Sequence, residues 1–201
     1  MQISRPRLLV ASLAIAVVVS LVGAVIWAQV FGDDGDGDAE VVLSDPQGGV
    51  VTYPTDGLTN DTVSGDVLPA AVLTDRDDNE VETTSFIGEP LVMNFWFSTC
   101  APCAKELPDF AEVHAEVGDQ VRFIGVNTVD TVEAMERFAG DRGVQYELYR
   151  DYYAELTDAI GAVSFPLTLF VASDGTIVEQ TGVLDAEQLR TKIDELLAAE
   201  A

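Results

Sequence analysis

"NFWFSTCAPCAKELP", Asn94 to Pro108, contains both cysteines of a 201-residue chain and joins two stretches of different periodicity. Upstream, "LVMNFWF" (91–97) is an unbroken apolar run, as in a central strand covered on both faces. Downstream, Leu107, Phe110, Val113 and Val117 recur at helical spacing, and Gly118 is a natural stop. The junction therefore predicts a buried strand followed at once by a helix whose first turn carries the cysteines. In open α/β sheets, such carboxyl ends of strands are where sites are built.

A thiol at a helix N-terminus meets unpaired backbone N–H groups and the positive end of the dipole, and both favour the thiolate. Cys100 is expected to be the exposed nucleophile, more acidic than a free thiol at about 8.5. Cys103, one turn further in, is expected to be shielded and to resolve a mixed disulfide at Cys100. Pro102 suits the first turn, where its missing N–H removes no hydrogen bond. Two other readings stay open at this point. A structural zinc site takes four Cys or His ligands, and the chain offers two Cys and one His, His114, so neither a metal nor another cofactor is expected. Two inert buried cysteines would need this spacing and this junction to coincide by chance.

Outward from the pair, "AAVLTDRDDNEVETTSF" (70–86) reads as two strands about a polar turn at Asp77 to Asn79. "VRFIGVN" (121–127) is a second buried strand, and "TVEAMERFAGDRG" (131–143) a helix with Val132, Met135 and Phe138 on one face. "YYAELTDAIG" (152–161) gives a shorter helix, and "PLTLFVASDGTIVEQTG" (166–182) a hairpin turning at Asp174-Gly175. A last helix follows, capped by Asp185. This order describes an α/β/α sandwich around a central mixed sheet, spanning residues 67–201.

The net charge of -25 and pI near 4.1 repel phosphate backbones, so no nucleic-acid partner is expected. Residues 8–31, "LLVASLAIAVVVSLVGAVIWAQVF", carry no charge and are long enough to cross a bilayer as a helix. Arg5 and Arg7 precede this run and Asp33, Asp34, Asp36 and Asp38 follow it. That asymmetry predicts a cytoplasmic N-terminus (1–7), a transmembrane anchor in the cell membrane, and an extracytoplasmic remainder. A signal peptide cleaved near Ala28 is the rival reading, but the apolar run exceeds the usual signal core of about 7 to 15 residues. Residues 32–66, rich in Asp, Gly, Thr and Pro, read as an acidic linker in which "EVVL" (40–43) and "GVVTYP" (49–54) could form edge strands.

These residues resemble the thioredoxin superfamily, and within it the membrane-anchored, exported branch typified by TlpA and ResA. "VMNFWFSTCAPC" looks like that family's strand and active-site turn, with Asn94 at the position of a buried polar residue. Pro108 matches the proline that bends the active-site helix, "SFP" (164–166) the cis-proline loop, and "DGTIVEQTG" the closing hairpin. The resemblance implies a thioredoxin-like fold and a thiol-disulfide oxidoreductase. Cys100, Cys103 and Asp130 would be catalytic, and Trp96, Thr99, Ala101, Pro102, Phe165 and a cis Pro166 would form the active-site turn and substrate-binding surface. Asp130 could move a proton during exchange, yet Asp130 or Thr131 could equally cap the next helix. The chain departs from the family at Thr99, where many members have Trp, and at Ala101-Pro102, which lacks the acidic residue of some members.

The implied activity is reduction of protein disulfides on the extracytoplasmic side. Apocytochrome c would be one substrate, and electrons would come from a membrane thiol-transfer protein. A protein-disulfide oxidant, a non-enzymatic adaptor and a metallochaperone are the alternatives. A peroxiredoxin needs Thr three residues before its cysteine, and position 97 is Phe.

Overall fold

The computed structural model describes residues 42–44, 50–52 and 59–200. The expected anchor at 8–31 lies outside the described residues, and among the described residues no helix is long and apolar enough to cross a membrane. In the N-terminal unit, β1 (Val42–Ser44) pairs antiparallel with β2 (Val50–Thr52), Val42 opposite Thr52, so both candidate edge strands form and pair with each other.

The second unit is built on a seven-stranded mixed sheet. Its elements, in chain order, are β3 (Val72–Thr74), β4 (Glu80–Glu82), a 3-10 turn (Thr83–Phe86), β5 (Leu91–Trp96), α1 (Ala101–Val117), β6 (Arg122–Asn127), α2 (Val132–Gly140), β7 (Glu147–Arg150), α3 (Glu155–Ala159), β8 (Leu167–Val171), β9 (Ile177–Thr181) and α4 (Ala186–Ala199). The order across the sheet is β4-β3-β7-β6-β5-β8-β9. β5, β6 and β7 run parallel, β8 runs antiparallel to β5, and β9 antiparallel to β8. This is the thioredoxin-like arrangement expected from the sequence.

Every residue of β5 is buried. Alternation divides its apolar run between two cores. Val92 and Trp96 pack with Leu107, Phe110 and Val113 of α1 and with Leu189, Ile193 and Leu196 of α4. Leu91, Met93 and Phe95 pack on the other face with Phe86, Leu156 and Ile160. Burying a large apolar side chain contributes about 1.5–3 kcal/mol. Both layers thus hold β5, and the turn that leaves it, in one position.

Pro108 lies inside α1 and cannot donate to the Ala104 carbonyl one turn earlier. Arg142 supplies the missing donor, its Nε reaching Ala104 O at 3.2 Å while its guanidinium covers the Phe138 ring. The helix therefore runs through the proline without leaving that carbonyl unpaired.

The domain takes up chain before residue 67, correcting the linker boundary expected at 66. Val63 is buried in the second core, and its N–H bonds Gln180 Oε1. Asp61 N bonds Gly161 O and Gly65 N bonds Ile177 O. Turn-forming composition conceals a segment whose backbone groups are satisfied by neighbouring loops and strands.

Candidate active site

Cys100 and Cys103 are joined as a disulfide, with Cα atoms 5.3 Å apart, where β5 hands over to α1. Cys100 is the N-cap of α1, and its Sγ accepts the Cys103 N–H at 3.2 Å. A backbone donor thus points at the sulfur that would carry negative charge after reduction. Thr99, Ala101 and Pro102 are exposed on the turn around the pair.

The expectation that Cys100 is exposed is corrected, because it is 6% exposed and Cys103 is 0% exposed. The sulfur bonded to Cys103 is drawn into the core shared with Leu107 and Phe110, and Phe97 and Phe165, edge to face with each other, pack against that cluster. The apolar cover missing at Thr99 is thereby supplied from Phe97 and from across the site. Phe165-Pro166 is a cis peptide bond, with Phe165 half-buried and Pro166 buried. Asn60 holds the preceding loop, its Oδ1 accepting from Val163 N and Ser164 N and its Nδ2 donating to Ser164 O.

Trp96 does not face substrate, which corrects its expected place on the binding surface. It is fully buried at the end of β5 and stacks on Phe138 with ring centroids 5.5 Å apart. Its strand position points it into the core beneath α2, whereas the turn itself begins one residue later.

Asp130 accepts from Ser98 N at 2.7 Å, from Ser98 Oγ at 2.6 Å and from Asn127 Nδ2 at 2.7 Å. Ser98 is two residues before Cys100, so this carboxylate fastens the active-site turn to the end of β6. The N-cap of α2 is Thr131, whose Oγ1 accepts from Ala134 N, so the capping role falls to Thr131.

Sequence reasoning missed Glu106. It lies one turn after Cys103 on the same face of α1 and is 2% exposed. Asn94 Nδ2 donates to its Oε1 at 2.9 Å, and Leu184 N donates to its Oε2 at 3.2 Å. Asn94 also donates to Thr168 Oγ1, so β5, β8, α1 and the approach to α4 converge on one carboxyl. Burial raises the Glu106 pKa to about 7, against the opposing effect of its two hydrogen bonds. An open cleft lined by Lys105, Asp109, Val183 and Gln188 reaches this group from the surface. The available signal was a glutamate inside the apolar stripe that continues with Leu107 and Phe110.

Among the described residues no group of three or more His, Cys, Asp or Glu side chains could hold a metal ion. His114 instead packs edge to face against Phe123 and Tyr146, and partial burial lowers its pKa.

Comparison with known proteins agrees with this geometry. The Redoxin family profile matches residues 63–197. The chain is 30% identical over 132 residues to thiol-disulfide oxidoreductase ResA of Halalkalibacterium halodurans, covering 65% of this chain and 74% of that one. It is 25% identical over 134 residues to ResA of Bacillus thuringiensis, covering 66% of this chain and 76% of the relative. Among solved structures, MTB DsbF in mixed oxidized and reduced forms superposes with a TM-score of 0.58 at 25% identity, covering 67% of this chain and 99% of that one. A secreted Mycobacterium tuberculosis disulfide oxidoreductase shares the fold, with a TM-score of 0.56 at 23% identity over 63% of this chain and 96% of that one.

Proposed function

Since this chain belongs to the Redoxin family, as a TlpA/ResA-like member of the thioredoxin superfamily and a thiol-disulfide oxidoreductase, we propose that it reduces protein disulfides from a membrane tether on the extracytoplasmic side. The observation that carries the chemistry is a helix-capping Cys100 bonded to Cys103, with the buried carboxyl of Glu106 one turn behind.

In the reduced protein, the Cys100 thiolate attacks one sulfur of a substrate disulfide. The other substrate sulfur leaves as a thiolate, and a mixed disulfide forms at Cys100. Cys103 then loses its proton and attacks the Cys100 sulfur, which releases the second substrate thiolate and regenerates the internal disulfide. Two electrons pass from the dithiol to the substrate, and an external dithiol returns them. Glu106 takes up the Cys103 proton, because a carboxyl with a pKa of about 7 exchanges protons readily at neutral pH. The cleft at Lys105 and Asp109 gives that proton a way to solvent. Thr99, Ala101, Pro102 and Phe165 form the surface that receives the substrate strand, with the cis Pro166 buried behind Phe165, and Asp130 positions the turn through Ser98.

The uncharged 8–31 run supports the tether and the 1–7 flank its orientation. Apocytochrome c thiols as substrate and a membrane thiol-transfer protein as electron donor are the roles that the family resemblance suggests. The test is dithiothreitol-driven reduction of insulin by the full chain, with a redox titration against glutathione. Cys100-dependent turnover and a potential below that of the extracytoplasmic pool are expected. No turnover would favour a non-enzymatic adaptor, and a potential well above the pool would make the protein an oxidant.

A further inference from the structure

Among the described residues, five of the eight exposed large apolar side chains, Val129, Tyr152, Tyr153, Val163 and Val183, lie in loops at one end of the sheet. That end is the disulfide's, because β5, β6 and β7 finish there while β8 begins and β9 finishes there. The most prominent are Tyr152 and Tyr153, at 65% and 71% exposed, with Val129 at 71% on the adjoining loop. Their rings meet edge to face at 5.0 Å.

The loop that carries the two tyrosines is tied down by hydrogen bonds of its backbone and of Asp151. The Asp151 side chain, fully buried, accepts from Thr157 N at 2.8 Å, and Ala154 closes the turn in a left-handed conformation at φ 57°. Asp151 N bonds Asn127 O, the Asn127 side chain donates to Asp130, and Asp130 accepts both Ser98 donors. One hydrogen-bonded chain, Ser98–Asp130–Asn127–Asp151, thus ties the exposed rings to the turn that carries Cys100. A loop this ordered that leaves two aromatic rings in water is built for contact, since tyrosine is a preferred anchor at protein interfaces.

Charge identifies the occupant. The chain carries 35 acidic against 10 basic residues, and Arg76, Arg122, Arg150, Arg190 and Lys192 are each already engaged by carboxylates. Glu155 and Asp158 follow the tyrosines on α3, and Arg150, the residue before Asp151, is paired with Asp78. Arg150 also sits 5.7 Å from the Tyr152 ring centroid, the geometry in which an aromatic face attracts a cation.

We propose that Tyr152, Tyr153 and Val129 form a docking platform for a lysine-rich, extended segment of the protein substrate, placed beside its disulfide by the Ser98–Asp130–Asn127–Asp151 chain. This rests on the reductase reading above and assigns its substrate class.

The test uses the prereduced full-length chain in single-turnover oxidation by three probes: a lysine-rich peptide with an internal disulfide, its glutamate-substituted twin, and neutral bis(2-hydroxyethyl) disulfide. The lysine peptide should react about tenfold faster than the glutamate peptide at low salt, with the advantage shrinking as salt rises. Tyr152→Ser with Tyr153→Ser should lower the lysine-peptide rate about tenfold through weaker binding, against less than twofold for the neutral disulfide. Tyr152→Phe with Tyr153→Phe should stay within twofold of wild type on the peptide. Equal rates for the two peptides, or equal losses on peptide and neutral disulfide, overturn the proposal. So does a serine variant unchanged on the peptide that instead loses binding to phosphatidylcholine vesicles, which would make the patch a lipid contact, or loses self-association, which would make it a contact between copies. If the wild-type chain reduces none of the probes, the reductase reading is what fails.

Discussion

Asn94 donates its side-chain amide to the carboxyl of Glu106 at 2.9 Å, joining the central strand to the active-site helix one turn after Cys103. Burial lifts that carboxyl from 4.5 to about 7, so the folded chain holds its proton more tightly than the unfolded chain. The resulting stabilisation is fully present below about pH 4.5 and is lost as pH rises through about 7, a difference of roughly 3 kcal/mol. Glu106→Gln removes this titration. Urea midpoints measured between pH 5 and 8 should therefore fall more steeply in wild type than in the variant, and parallel slopes would reject the assignment. The same substitution should remove the inflection near neutral pH from the rate at which Cys103 resolves a mixed disulfide.

Asp130 and Thr131 are neighbours with separable roles. Asp130→Ala leaves Ser98 N, Ser98 Oγ and Asn127 Nδ2 without their acceptor, which costs about 2–4 kcal/mol and loosens the turn before Cys100. Thr131→Ala removes only the cap of α2, at about 1 kcal/mol. Chemical denaturation paired with exchange rates separates them: Asp130→Ala should lose both stability and rate, and Thr131→Ala only stability. Equal rates in the two variants would show that the Asp130 contact does not position the turn.

The elements legible in the sequence were those whose periodicity reports burial directly. β5, β6, β8 and α1 announce themselves because continuous or helically spaced apolar residues have no other economical arrangement, and Asp185 reads as the cap it is, down to its capping box with Gln188. β7 was harder, since Glu147 and Arg150 frame only two buried residues and are satisfied by Arg122 and Asp78 from other elements. Residues 59–66 looked like linker because hydrogen bonds to β9 and the loop before β8 are invisible in composition. Glu106 escaped for a related reason. Its partners, Asn94 and Leu184, are 12 and 78 residues away, and only the fold brings them together.

The two cysteines differ in depth as well as position. Cys103 is 0% exposed while Cys100 is 6% exposed at the helix cap, so a partner reaches Cys100 first. Cys103→Ser should accumulate mixed disulfides on Cys100 when membranes are lysed with thiols blocked. Cys100→Ser should yield at least tenfold fewer under the same conditions. Comparable trapping by both variants, seen on non-reducing gels, would overturn the order of attack.

Gly125 of β6 sits where Trp96 crosses to the neighbouring strands. A Cβ there would meet Leu148 Cδ2 at 2.7 Å, Trp96 Nε1 at 3.0 Å and Tyr146 Cε2 at 3.2 Å, all in a close-packed core. Gly125→Ala should therefore destabilise the domain by about 1–3 kcal/mol through overpacking. Displacing Trp96 also disturbs the strand end from which Phe97 covers the disulfide, so disulfide exchange should slow as well. Gly140, the last residue of α2, has nothing within 4 Å of an added Cβ. Gly140→Ala should instead stabilise by about 0.4–1 kcal/mol, because the unfolded chain loses freedom that the folded helix never uses. Thermal melts of the two variants should move in opposite directions, and a melt of Gly125→Ala at or above that of wild type would mean that Trp96 is not wedged against β6.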